Sequence, residues 1–307
     1  MKITFPLLLA TLCVPLLSAA ATAGQDPALA TAVRLNNGYK FFANQTYASA
    51  SGTDLKLDVY TRPGHTGPQP VLIFIHGGGW VYGTKEMNAL AALPYMQLGF
   101  AVVNIEYRLA ETALAPAAVE DSMCALQWVG RYARQYNFDL SKVVVAGESA
   151  GGQLALSLGL MPADSPYRNQ CAWKDKSSGP TPKVAAVINW FGISDINDLL
   201  AGPNLRTYAV SWFGSMTGRD DLARRLSPLT YVRSGAPLPP VLTIHGDADP
   251  VVPYQQSVRL HQALDAAGVH NRLLTIPGGG HGNFNDEQDL QAFQAVREFL
   301  TSNNILP

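Results

Sequence analysis

Val143-Val144-Val145-Ala146-Gly147-Glu148-Ser149-Ala150-Gly151-Gly152-Gln153-Leu154-Ala155-Leu156 is the stretch that decides the fold. Its first four residues are apolar and mostly β-branched, as a strand covered on both faces must be. Gln153, Leu154, Ala155 and Leu156 after Gly152 favour a helix instead. The intervening glycines permit a sharp turn, so the stretch predicts strand, tight turn and helix in direct succession, with Ser149 at the turn.

The same grammar repeats outward. Continuous apolar runs of four to six residues stand at 71–75, 100–105, 184–188, 241–244 and 273–276. Amphipathic stretches lie between them. The clearest covers 117–135, with Val119, Met123, Leu126, Val129 and Tyr132 at helical steps. Alternation of this kind predicts a parallel sheet with right-handed crossovers and helices on both faces. Ahead of the first run, residues 45–50 and 55–60 flank Ser51-Gly52 and read as an antiparallel hairpin at one edge. The expected α/β architecture is thus a sheet of about eight strands, mostly parallel. Residues 190–240 are too long for a simple connection and too broken for one helix. They read as a small lid-like insertion over the place where strand ends meet, and their aromatic residues suit a site wall.

Composition bounds the function. The chain has 307 residues, 47% hydrophobic and 15% charged, with 22 basic against 23 acidic side chains. A balance so close to neutral offers no basic footprint for nucleic acid. Residues 1–23 have a positive start, an apolar core and an Ala-x-Ala ending, the pattern of a secretory signal peptide. The expectation is a protein exported to the periplasm or the extracellular space, without a membrane span and with residues 24–307 forming one catalytic domain. Removal of the signal would leave Cys124 and Cys171, a candidate disulfide in an oxidising compartment. Neither has a nearby His at ligand spacing, so no metal is expected.

The chemistry starts at Gly147-Glu148-Ser149-Ala150-Gly151. A G-x-S-x-G turn between strand and helix holds the serine hydroxyl clear of the backbone as a nucleophile. His76-Gly77-Gly78-Gly79-Trp80 directly follows the run 71–75. Amides of Gly78 and Gly79, with that of Ala150, would form an oxyanion hole. The loop lacks the Lys and Ser/Thr of a phosphate-binding loop, and no cofactor is expected. Of six histidines, His281 lies in the flexible Gly278-Gly279-Gly280-His281-Gly282 loop after the last strand and is the candidate base. Asp247 and Asp249 both follow the run 241–244; Asp249 lies deeper in the loop and is the better acid. Ser149, Asp249 and His281 then run in the chain order Ser…Asp…His. Glu148 is expected to be a hydrogen-bond or ion-pair partner, and His76 structural.

On the Gly-triplet loop, the serine turn with Gly152, Trp190-Phe191-Gly192, the stretch from His245 to Pro253, and Gly280-His281-Gly282, the chain resembles the α/β-hydrolases. Among them it is similar to the group named for bifunctional feruloyl and acetylxylan esterases. The resemblance implies an α/β-hydrolase fold and a serine carboxylesterase that hydrolyses feruloyl or acetyl esters of plant cell-wall xylan. Trp80, Trp190 and Trp212 are the expected substrate-binding aromatics. The alternative is a hydrolase of small amides or esters, such as an arylformamidase or a short-chain carboxylesterase.

Overall fold

In a computed structural model of the protein, which describes residues 26–169, 171 and 180–307, the apolar runs join into one eight-stranded sheet. The strands are β1 (Lys40–Ala50), β2 (Thr53–Thr61), β3 (Gln69–Ile75), β4 (Ala101–Ile105), β5 (Phe138–Glu148), β6 (Val184–Trp190), β7 (Val241–Gly246) and β8 (Asn271–Ile276). Their order is β1-β2-β4-β3-β5-β6-β7-β8. The β1–β2 hairpin and the β2–β4 pair are antiparallel, and the other pairings are parallel. This is the α/β-hydrolase architecture read from the sequence. The β5 strand sits in the middle, so its C-terminal turn opens at the centre of the sheet edge.

The helices are α1 (Pro27–Gly38), α2 (Leu93–Gln97), α3 (Ala117–Arg131), α4 (Ala133–Tyr136), α5 (Ala150–Leu160), α6 (Thr207–Phe213), α7 (Arg219–Leu226), α8 (Gln255–Ala266) and α9 (Asp286–Ser302). Among the described residues, 26–37 belong to a different compact unit from 38–307, and no residue of α1 is buried. The expected signal segment, residues 1–23, lies outside the described residues.

Strand side chains alternate between two helical layers, as the pleat requires. Val71, Ile73, Val143 and Val145 share an apolar cluster with Met123 of α3, Leu154 of α5 and Leu260 of α8. Phe74 points the other way, toward Tyr95 of α2, and Phe293 of α9 packs on both Tyr95 and Trp190. One helix is expected over 117–135, whereas the structure breaks it at Tyr132, whose backbone leaves the helical region. The strand predicted at 143–146 extends back to Phe138 through pairing with Gln69 and Pro70.

Between β6 and β7, α6, α7 and short 3-10 turns are anchored by fully buried Ile193, Ile196, Trp212, Phe213 and Leu226. Buried Gln256 of α8 ties this segment to the core. Its side-chain oxygen accepts the amides of Ser194 and Asp195, at 3.0 and 2.8 Å. The insertion is therefore part of the packed body, and it lends specific side chains to the site.

Cys124 of α3 and Cys171 are disulfide-bonded across a sequence separation of 47 residues. A cross-link closing a loop of that size stabilises mainly by restricting the unfolded chain, typically by about 2–4 kcal/mol. Urea unfolding of the Cys124→Ser/Cys171→Ser variant should show a loss in that range relative to the oxidised protein.

Candidate active site

Ser149 joins β5 to α5 with φ 55° and ψ −118°. A residue with a side chain rarely adopts this conformation, and neighbouring contacts hold it there. Its amide donates to the Trp190 carbonyl at 2.9 Å, and its carbonyl accepts the Gln153 amide at 3.1 Å. A Cβ at Gly151 would overlap the carbonyl oxygens of Ile75 and His76, so the turn can press against the end of β3 only as glycine.

His281 stands in the loop between β8 and α9, beyond the far side of the sheet from the hairpin. Its Nε2 lies 2.9 Å from Ser149 Oγ and its Nδ1 lies 2.7 Å from Asp249 Oδ2. Three residues drawn from three loops are thus brought into one hydrogen-bonded line. The Asp249 carboxylate is wholly buried. Its Oδ1 accepts the Val251 and Val252 amides at 2.7 and 2.9 Å, while Oδ2 also faces His245 Nε2 at 3.1 Å. Burial alone would raise this carboxyl. Hydrogen bonds from His245 and His281, the charge on His281 and the Val252 amide outweigh it and hold Asp249 well below the usual carboxylate range. Asp247 instead accepts the Gly278 amide at 2.7 Å and braces the loop that carries His281.

The glycine loop after β3 faces the same point. Gly78 has φ 111°, and its carbonyl accepts the amides of Val81 and Tyr82 at 3.1 and 3.0 Å. That turn leaves the amides of Gly78 and Gly79 outside any backbone bond among the described residues. Gly78 and Gly79 line a cavity of about 600 Å³ together with Ser149 and His281. Ala150, at the first position of α5, adds a third amide beside Ser149. His76 is buried, stacks on Tyr107 at 4.3 Å and directs Nδ1 at the Gly77 carbonyl, 2.7 Å away. Burial lowers its pKa, against the pull of that carbonyl. It shapes the loop and does not reach the hydroxyl.

Trp190 lines the cavity, with its Nε1 donating to Tyr95 Oη at 2.8 Å. The expectation for Trp80 and Trp212 is corrected. Both are fully buried and stack on each other at 4.1 Å, and Trp80 Nε1 donates to buried Gln153. They support the glycine loop and the inserted segment from below, where no substrate reaches. The insertion contributes Phe191 and Tyr208 to the cavity wall instead, and α9 contributes Phe293. Phe293 carries no distinguishing signal in its amphipathic helix. Glu148 also lines the cavity and accepts from Asn88 Nδ2 at 2.9 Å. Burial raises its pKa, opposed by the Asn88 hydrogen bond and by His281. Among the described residues no group of three or more His, Cys, Asp or Glu could hold a metal ion, and no helix is long and apolar enough to cross a membrane.

The placement of Trp212 has a measurable consequence. Trp212→Phe should lower stability by about 1–2 kcal/mol in urea unfolding, as core substitutions do. Removing the ring that walls the cavity, in Trp190→Ala, should instead raise KM for aryl esters.

Comparison with known proteins identifies the family. The family model described as BD-FAE matches residues 57–264, and a second, described as TAP-like protein, matches residues 225–305. A solved structure described as a truncated form of a carbohydrate esterase from gut microbiota is similar at TM-score 0.72 and 30% identity. That match covers 87% of this chain and 97% of the other. A bifunctional GH43-CE protein from Bacteroides eggerthii is similar at TM-score 0.70 and 28% identity, over 86% of this chain and 38% of that one. Esterase LipC of Mycobacterium tuberculosis is 31% identical over 233 aligned residues, in a match that covers 74% of this chain. The chain spans 56% of that relative's length.

Proposed function

The chain belongs to the BD-FAE family, and on that premise we propose that it is a serine carboxylesterase working through an acyl-enzyme on Ser149. The observation that carries this reading is the line of hydrogen bonds from Ser149 Oγ through His281 to Asp249, at 2.9 and 2.7 Å. In the first step His281 Nε2 takes the hydroxyl proton as Ser149 Oγ attacks the ester carbonyl. Ionised Asp249 accepts a hydrogen bond from Nδ1 and stabilises the imidazolium that forms. Charge moves to the carbonyl oxygen, which the amides of Gly78, Gly79 and Ala150 receive. One such donor is typically worth about 3–4 kcal/mol of transition-state stabilisation. Collapse returns the proton from His281 to the leaving alcohol, and a water activated by the same base then releases the acid. No cofactor enters any step.

The substrate in this proposal is an acylated plant cell-wall polysaccharide, with feruloyl or acetyl groups on xylan. The aromatic wall of Trp190, Phe191 and Phe293 supports it, since flat rings stack on phenolic and sugar faces. Similarity to a carbohydrate esterase supports it too. The near-neutral chain, with a net charge of −1, suits an uncharged ester. Export is part of the same proposal. It rests on the signal-like pattern of residues 1–23 and on the disulfide, a bond that persists in oxidising compartments.

Ser149→Ala should lose at least about 10³-fold in kcat/KM for ester hydrolysis, as expected for the nucleophile of such a triad. Activity surviving in that variant would end the mechanism. A panel of methyl ferulate, acetylated xylan and N-formylkynurenine tests the substrate: turnover of either ester supports the polysaccharide reading, and turnover of the formamide alone overturns it. N-terminal sequencing of protein recovered from periplasm or medium should begin at Gly24; an intact Met1 start would contradict export by cleavage.

A further inference from the structure

The acid of the triad has a second imidazole on it, and the mechanism above leaves that imidazole unused. His245, at the end of β7, is completely buried. Its Nε2 has two acceptors within reach, Asp249 Oδ2 at 3.1 Å and the Val252 carbonyl at 3.2 Å. A nitrogen between two acceptors carries the hydrogen. On the other side of the ring, Nδ1 lies 2.6 Å from Oγ of Ser257, in the first turn of α8. A ring whose Nε2 carries the hydrogen has a lone pair at Nδ1, which takes the Ser257 hydroxyl hydrogen. The two acceptors at Nε2 therefore fix the tautomer, the Ser257 hydroxyl donates to Nδ1, and strand and helix together fix the plane of the ring.

We propose that His245, oriented by Ser257, is a positioning residue that sets both the placement and the basicity of Asp249, and through it the protonation of the His281 base. This rests on the reading of Ser149, His281 and Asp249 as a catalytic triad. Oδ2 is the oxygen that serves His281, and His245 draws on the same oxygen. A carboxylate already shared with another N–H donor binds an imidazolium less strongly than an unshared one does. The two amides on Oδ1 hold one end of the carboxylate, and His245 stops the other end from swinging away from His281.

The sign of the effect follows. With the His245 donor gone, Asp249 keeps more charge on Oδ2 and favours protonated His281 over neutral His281. The acid limb of the kcat/KM profile, which reports the free base, should move to higher pH. The other groups facing this line are Glu148 at the end of β5, Asp289 of α9 beside Glu148, Arg206 and Tyr208 on the Val251 carbonyl, and Tyr254 edge-on to His245. All of them remain in each variant, so a displaced limb is attributable to the His245 donor.

The pH profile of kcat/KM on an aryl ester, measured for the full chain and four variants, tests this. His245→Met should lower the plateau about 10–100-fold, the usual cost of losing an orienting partner. It should also raise the acid limb by about half a unit or more. His245→Gln, which can present an N–H where Nε2 stood, should return the limb to the wild-type position. Ser257→Ala should move the limb the same way as His245→Met, by less. If the limb stays put in both His245→Met and Ser257→Ala, the proposal is overturned and His245 is packing alone. If His245→Met does not fold, Ser257→Ala decides by the same criterion. Ser149→Ala run alongside separates the two readings: residual activity there breaks the triad itself, whereas an inert Ser149→Ala with an unmoved limb elsewhere rejects only the role of His245.

Discussion

A single backbone conformation constrains most of this molecule. Ser149 at φ 55° and ψ −118° occupies a region that costs a residue with a side chain about 1–3 kcal/mol. The cost persists only where surroundings leave no other choice, and several elements supply that constraint. The Trp190 carbonyl at the end of β6 takes the Ser149 amide, and β3 presses on Gly151. Helix α5, buried on nearly every side, fixes the direction in which the chain leaves. In return the hydroxyl stands off the sheet edge at the midpoint of eight strands, with a helix N-terminus behind it. The loops after β3, β7 and β8 then need only reach that point.

The electrostatics of the site fit the same arrangement. Asp249 is buried yet ionised because two amides and two imidazoles face its oxygens. A carboxylate so fully hydrogen-bonded cannot rotate without breaking good contacts, which is how a buried charge becomes a precise orienting group. Aromatic rings make up much of the cavity wall, with Glu148 and Asn88 as a hydrogen-bonded polar pair in it and Asp289 also lining it. In the proposed mechanism, low polarity around Ser149 makes each amide aimed at the developing oxyanion count for more than it would in water.

Much of this was legible in the sequence because it is written locally. Each strand of the parallel sheet announces itself as an apolar run, and Gly147, Ser149 and Gly151 mark the turn by spacing alone. Chain order and loop position were enough to choose His281 and Asp249 among several histidines and acids. What was not legible depends on which way a side chain faces after folding. Trp80 and Trp212 look like Trp190 in sequence, yet two stack in the core and one lines the cavity. The helix break at Tyr132 is not legible in Gly130, two residues before it, because a single glycine inside a helical pattern is usually tolerated. His245 gave no sign of its contact with Asp249, which exists only once the loop after β7 curls back over the strand end.

The most direct test of the central claim is stoichiometric reaction with diethyl p-nitrophenyl phosphate, followed by peptide mapping. The account predicts one diethylphosphoryl group per chain, located on Ser149, with esterase activity falling in parallel with its incorporation. Modification at another residue, or activity that survives complete modification of Ser149, would contradict it.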